Sequence, residues 1–135
     1  MEGFSGEIVY LSLDQICDVN RRMIDAFGGY FEGSDNLRNR ESLEYILILV
    51  SSFALFGENL YMTLKEKAAA IAHHIISRHI FHDGNKRTGI HAAWEFLHAN
   101  GVALNLDPTI ADLAEAIADS TASYDDLLEW LHDHQ

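Results

Sequence analysis

His79-Ile80-Phe81-His82-Asp83-Gly84-Asn85-Lys86-Arg87-Thr88 interrupts an otherwise helical pattern, and its reading decides the fold. Upstream, Thr63-Leu64-Lys65-Glu66 reads as a capping box, in which the Thr and Glu side chains close the open N–H groups of a helix start. The Ala- and Ile-rich run that follows, to about Arg78, predicts a central, largely buried helix. Downstream, a second helix is expected from near Asn85 to Asn100, where Asn100-Gly101 suits a left-handed cap. The ten residues therefore form a loop between two helices and feed directly into the N-terminus of the second.

Further out the pattern stays helical. Ser12-Leu13-Asp14-Gln15 reads as another capping box, and Leu13, Ile16, Val19 or Asn20, Met23, Ile24 and Phe27 follow at helical spacing. Gly28-Gly29 ends that helix. Residues 7–11 (EIVYL) favour a small strand or an extended lead-in. Residues 33–40 form a polar loop with two arginines. A second helix is expected over 40–56, broken by Gly57-Glu58-Asn59. Residues 102–106 form a short extended connection. Asp107-Pro108 then opens a helix with Pro at its first position, and a last helix runs from about Ser123 to Asp133. The expectation is an all-α fold of about six helices in one domain, 1–135, with no internal repeat and no linker.

Composition agrees. The chain has 135 residues, 48% of them apolar, which supports a sizeable core and excludes a disordered reading. The single proline, Pro108, leaves long helices uninterrupted. Twenty-one acidic and nine basic residues give a formal charge of −12, which repels nucleic-acid backbones and argues against a nucleic-acid partner. The lone cysteine, Cys17, has no partner for an internal disulfide and fits a reducing compartment. The apolar stretch 45–56 is too short to span a bilayer, and no signal-peptide pattern opens the chain. A cytoplasmic protein with no membrane contact is expected.

The chemistry concentrates at residues 79–88. Free backbone N–H groups and the positive end of the helix dipole make an anion site at the following helix start. Gly84 permits the tight backbone that aims those groups at a phosphate. Lys86 and Arg87 add cations. Asp83 can hold Mg²⁺, which prefers a few carboxylate oxygens together with water and phosphate oxygens. A histidine such as His79 can take a proton from an attacking hydroxyl at neutral pH. Phe81, between polar neighbours, is expected to anchor the loop in the core. Base, metal ligand, anion cradle and cation clamp are the recurrent parts of phosphoryl or nucleotidyl transfer.

His79-x-Phe81-x-Asp83-Gly84-Asn85-Lys86-Arg87 resembles the Fic/Doc motif, H-x-F-x-[DE]-[AG]-N-[GK]-R. Leu64-Lys65-Glu66-Lys67-Ala68-Ala69-Ala70 and Phe96-Leu97-His98-Ala99-Asn100-Gly101-Val102 resemble the flanking helices of death-on-curing (Doc) proteins, and 33–43 resembles their flap region. The likeness covers roughly residues 8–120, with the motif core at 63–101 and a small β-like flap at about 30–40. It implies His79 as general base on a target Ser or Thr hydroxyl and Asp83 as the Mg²⁺ ligand. It places Gly84, Asn85, Lys86 and Thr88 at the phosphates, with Arg87 holding one of them. Arg38 and Arg40 would lie on a substrate-docking flap. ATP or another nucleoside triphosphate and Mg²⁺ are the implied cofactors.

Two departures from the adenylylating pattern bear on the reaction. Lys86 stands where those enzymes usually have Gly, and Ile90 stands where they have a second Arg. Doc proteins share both features. In them the nucleotide is thought to bind reversed, and the γ-phosphate is transferred to a protein target, elongation factor Tu. An inhibitory [ST]-x-x-x-E-[GN] helix is not matched, since Ala54 precedes Glu58-Asn59. Restraint by a Phd-like antitoxin is the implied alternative.

Other residues have plainer readings. His73, His74, His79, His82 and His91 could form a metal site, but no cysteine joins them and adjacent His73 and His74 face different directions. Trp94 and Phe96 sit at core-like spacing, and Cys17 reads as inert core. Asp125, Asp126, Glu129 and Asp133 read as a solvated helix face. Three functions remain: a Doc-like kinase toxin, a Fic-type nucleotidyltransferase, and an idle binding module of the same fold. Lys86 and Ile90 favour the first over the second. His79 and Asp83 together argue against the third.

Overall fold

A computed structural model describes residues 7–51 and 61–135. Six helices follow in order: α1 (Leu13–Phe27), α2 (Arg40–Ser51), α3 (Leu64–Ser77), α4 (Asn85–Ala99), α5 (Thr109–Ala118) and α6 (Tyr124–Asp133). The helical expectation holds, and the only β pairing among the described residues is one isolated antiparallel bridge, Leu37 to Phe81. The expected continuation of α2 to residue 56 and its break at Gly57-Glu58-Asn59 lie outside the described residues.

Helix starts follow their local chemistry. Ser12, Thr63 and Ser123 each accept from the backbone three residues on, and Gln15, Glu66 and Asp126 return the bond. Asn39 Oδ1 accepts from Ser42 N at 3.3 Å at the start of α2. Helix α5 starts at Thr109 rather than at Pro108. Asp107 Oδ1 accepts from Thr109 N at 2.8 Å, and Pro108 itself already has helical angles. The extended reading of 7–11 takes the form of a lead-in pinned by a side chain. Val9 N donates to Asn100 Oδ1 at 2.8 Å, and Asn100 Nδ2 donates back to Val9 O at 2.9 Å.

Helix α3 is the centre, with ten of its 14 residues buried, and it packs against α2, α4, α5 and α6. Its alanines, Ala68 to Ala70 and Ala72, let neighbouring backbones come close. Gly89 of α4 shows how close: a Cβ there would stand 2.8 Å from Ile76 Cγ1 and 2.9 Å from the Ala72 carbonyl. Gly89→Ala should therefore overpack this contact. The helix propensity gained offsets part of the strain, and a net loss of about 1–2 kcal/mol is expected in urea unfolding. Lys67 is buried in the same region, its ammonium donating to Val50 O and Tyr61 O at 2.7 Å each, and burial lowers its pKa.

The two adjacent histidines of α3 carry a pH dependence. Burial, assisted by Arg78, lowers the pKa of both His73 and His74. His74 Nε2 lies 2.7 Å from Ser42 Oγ. In the unfolded chain both rings take a proton near the ordinary value of about 6.5. Below that pH the unfolded chain binds more protons than the folded one. The stability held by neutral rings is thus present above about pH 6.5 and lost as pH falls below it. Melting midpoints should drop on acidification, and the drop should be smaller in His73→Gln/His74→Gln than in the parent chain.

Candidate active-site loop

The loop begins where α3 ends. Arg78 closes α3, and His79 turns the chain through a left-handed conformation with φ +48°. This is uncommon for a residue with a Cβ. Ile80 and Phe81 then drop into the core at 0% and 1% exposure. The Asn85 side chain holds Phe81 from the other side of the turn: Phe81 N donates to Asn85 Oδ1 at 2.8 Å and Asn85 Nδ2 donates to Phe81 O at 2.9 Å. The amide of Asn85 is thus oriented by the loop, with its backbone N–H left for the anion cradle.

The 30–39 segment docks along the loop. Arg38 N and Asn39 N both donate to Ile80 O, at 2.8 and 3.0 Å, and His82 N donates to Asn36 O at 3.0 Å. Arg21 ties the segment back to α1, donating to Ser34 O at 2.8 Å and lying over the Phe31 ring at 4.6 Å. Arg38 is exposed on this segment, and Arg40 is held by Asp35 at 3.2 Å.

The start of α4 differs from the capped helices. Its N-cap is Gly84, left-handed at φ +79° and without a side-chain acceptor. The first bond back along the helix is Thr88 N to Gly84 O at 2.9 Å. The N–H groups of Asn85, Lys86 and Arg87 therefore have no acceptor within the helix. A Cβ on Gly84 would also stand 3.0 Å from Ile24 Cδ1 and 3.1 Å from Asn20 Nδ2. Lys86 pairs with Glu115 of α5. Arg87 lies over the Phe27 ring at 4.3 Å, which accounts for an aromatic left exposed at the end of α1.

Both Asp83 oxygens are engaged by backbone. Oδ2 accepts from Tyr30 N and Oδ1 from Gly84 N, each at 2.8 Å. Gly29 makes the approach possible, since a Cβ there would stand 2.8 Å from Asp83 Oδ2. Gly29 thus does more than end α1.

A cleft of about 900 Å³ opens over this loop between α1, α4 and α5. It brings together His79, Asp83, Gly84, Asn85, Lys86 and Arg87. Met23, Phe27, Ile90, Leu106 and Ile110 give it an apolar side, and Glu115 and Asp119 an acidic one. Arg38 and Arg40 do not line it. Thr88, expected at the phosphates, is fully buried and its hydroxyl accepts from Asn20 Nδ2 at 3.0 Å. As a residue of the second helical turn's inner face it supports the loop from below.

His79, His82 and His91 all border the cleft, but they share no ligand group among the described residues. His82 Nε2 is 3.1 Å from Glu32, His91 Nε2 is 3.2 Å from Glu95, and His74 faces Ser42. Among the described residues no group of three His, Cys, Asp or Glu can hold a metal. Phe96 is buried as expected, while Trp94 is half-buried and stacks on His98 at 4.8 Å. Burial, then Asp35, pushes the Cys17 thiol up to about 11, which keeps it protonated and unreactive.

The donor set suits Mg²⁺ in company with phosphate. The loop offers one carboxylate, Asp83, each oxygen with a lone pair left after its backbone bond, and this ion often takes one or two carboxylates plus phosphates and water. The cleft falls in the size range of small-molecule sites, roughly 300–1,000 Å³.

Two central helices joined by this loop, inside an all-helical fold, define the class of the chain's architecture. The sequence model of the Fic/DOC family matches residues 10–97, and the chain belongs to that family. It is 42% identical over 71 residues to a protein named Toxin Doc from Mycolicibacterium smegmatis, an alignment covering 53% of this chain and 54% of that protein. The chain thus spans about half the length of this curated relative. Among the described residues no helix is long and apolar enough to cross a membrane.

Proposed function

We propose that the chain is a Doc-like toxin, acting as one domain in the cytoplasm, that transfers the γ-phosphate of ATP to a Ser or Thr hydroxyl of a target protein. His79 takes the proton of the target hydroxyl, whose oxygen forms a bond to the γ-phosphorus. The bond from that phosphorus to the β,γ-bridging oxygen breaks, and ADP leaves with the electron pair. The open N–H groups of 85–87, with Lys86 and Arg87, bind and orient the phosphates. Asp83 would hold Mg²⁺, which supplies charge neutralisation on the phosphate oxygens when bound. Elongation factor Tu is the target that the resemblance implies. A Phd-like antitoxin is the partner that the resemblance implies, and the toxin reading agrees with the name of the M. smegmatis relative, Toxin Doc.

The observation that carries this reading over adenylyl transfer is the pairing of Lys86 with Ile90 on one cleft. The resemblance implies that a lysine here takes the space an α-phosphate would use, and that an apolar residue at 90 gives no clamp for the β- and γ-phosphates in that pose. The test is a transfer assay on purified elongation factor Tu and on bacterial lysate, with α- and γ-labelled ATP run in parallel. A γ-label with the mass gain of one phosphoryl group is expected. An α-label with the nucleotidyl mass gain would replace this reading by adenylyl transfer, and no label would replace it by a binding module. Lys86→Gly should shift label from the γ- to the α-phosphate. Identical products from both proteins would defeat the steric argument.

A further inference from the structure

Asn20 and Asn36 are both fully buried. Asn20 Nδ2 donates to Asp83 O at 2.9 Å and to Thr88 Oγ1 at 3.0 Å, and its Oδ1 accepts from Asn36 Nδ2 at 3.0 Å. Asn36 Nδ2 also donates to Tyr30 O at 3.2 Å, and its Oδ1 accepts from Glu32 N at 2.8 Å. Tyr30 N in turn donates to Asp83 Oδ2 at 2.8 Å. The bonds close a ring: Asn20, Asp83, Tyr30, Asn36 and back to Asn20.

Every donor of both amides is used, so neither can flip without setting oxygen against oxygen. Aspartate offers no donors and leucine offers nothing. The ring also ends at an unusual place. Asp83 is exposed on the rim of the cleft, where a carboxylate ordinarily samples several rotamers. Here one oxygen is fixed by the Tyr30 peptide, and Asn36 grips the carbonyl of that same residue.

We infer that Asn20 and Asn36 are positioning residues for the Asp83 carboxylate, and that they tie metal affinity in the cleft to the 30–36 segment. The inference rests on the reading of Asp83 as metal ligand in the proposed reaction. Partners that orient a ligating carboxylate typically change metal affinity by 10–100-fold when removed.

Asn36→Gly is the primary test, because Asn36 sits at φ +61°, a conformation glycine adopts freely. Asn20→Ala is the second variant. Asn36→Asp, which keeps the acceptor for Glu32 N and loses both donors, stands in for either that does not fold. Mn²⁺ is titrated by electron paramagnetic resonance with the β,γ-imido analogue of ATP present. Exchange of the Tyr30 amide is followed by NMR on the same samples, and Asp83→Asn serves as the reference.

The folded variants should bind Mn²⁺ about tenfold more weakly than the parent and lose protection at the Tyr30 amide. A folded Asn36→Gly chain with unprotected Tyr30 but parental Mn²⁺ affinity would overturn the inference alone, leaving the ring a structural brace. A parent chain that binds Mn²⁺ no better than Asp83→Asn would overturn the reading of Asp83, and the inference with it. The comparison of the parent with Asp83→Asn separates the two failures, and the Tyr30 exchange shows whether the ring has opened in the variant.

Discussion

His79→Ala should abolish protein transfer, with a loss of about 10²- to 10⁴-fold from the general base, while the chain still folds. The loop is held by Ile80, Phe81 and the Asn85 clamp rather than by the imidazole, so circular dichroism and melting should stay near those of the parent. Growth arrest on expression should vanish with the activity. A folded His79→Ala chain that still arrests growth would remove His79 from the role of base. His79→Gly separates strain from chemistry. It should be equally inactive yet about 1 kcal/mol more stable than His79→Ala, since residue 79 sits at φ +48°.

The second large effect belongs to Asp83. Asp83→Asn removes the one carboxylate the loop offers to a metal. It also turns an amide NH₂ toward one of two backbone donors, Tyr30 N or Gly84 N. Losing a metal's charge stabilisation amounts to several kcal/mol, so the rate should fall on the order of a thousandfold. Initial rates over a Mg²⁺ series would check this. A variant restored to parental rate by excess Mg²⁺ would show that Asp83 contributes affinity alone, and unchanged rates at every concentration would remove it from the site.

Much of the fold was legible because its signals are local. The capping boxes at Ser12 and Thr63 write helix starts into four consecutive residues, and Gly101, at φ +81°, marks the end of α4 equally locally. The loop was legible for the same reason, since its histidine, aspartate, glycine and cations lie within nine positions. What sequence did not disclose is contact across distance. Asn20 stood as an interchangeable alternative to Val19 on one helical face, yet it reaches 63 residues along the chain to Asp83. Asn36 looked like an ordinary loop residue. Its left-handed φ and full burial arise only once the segment docks on the loop. Motif position places Thr88 beside the phosphates, whereas helical geometry turns its side chain inward. A buried polar side chain on an apolar stripe, such as Asn20 between Val19 and Ile24, was the one available hint.

The pair between Lys86 and Glu115 has a consequence for selectivity. Both side chains are roughly half exposed, at 48% and 58%, so water screens the pair and its worth is below about 1 kcal/mol. An incoming anion must therefore outbid a carboxylate, but only narrowly. A lone monoanion brings little more charge than Glu115 already supplies and gains little by exchange. A polyphosphate brings several oxygens at once and can engage the open N–H groups of 85–87 along with the ammonium. A screened pair this weak also opens readily in salt, so the proposed phosphate site should favour a polyphosphate over a lone monoanion.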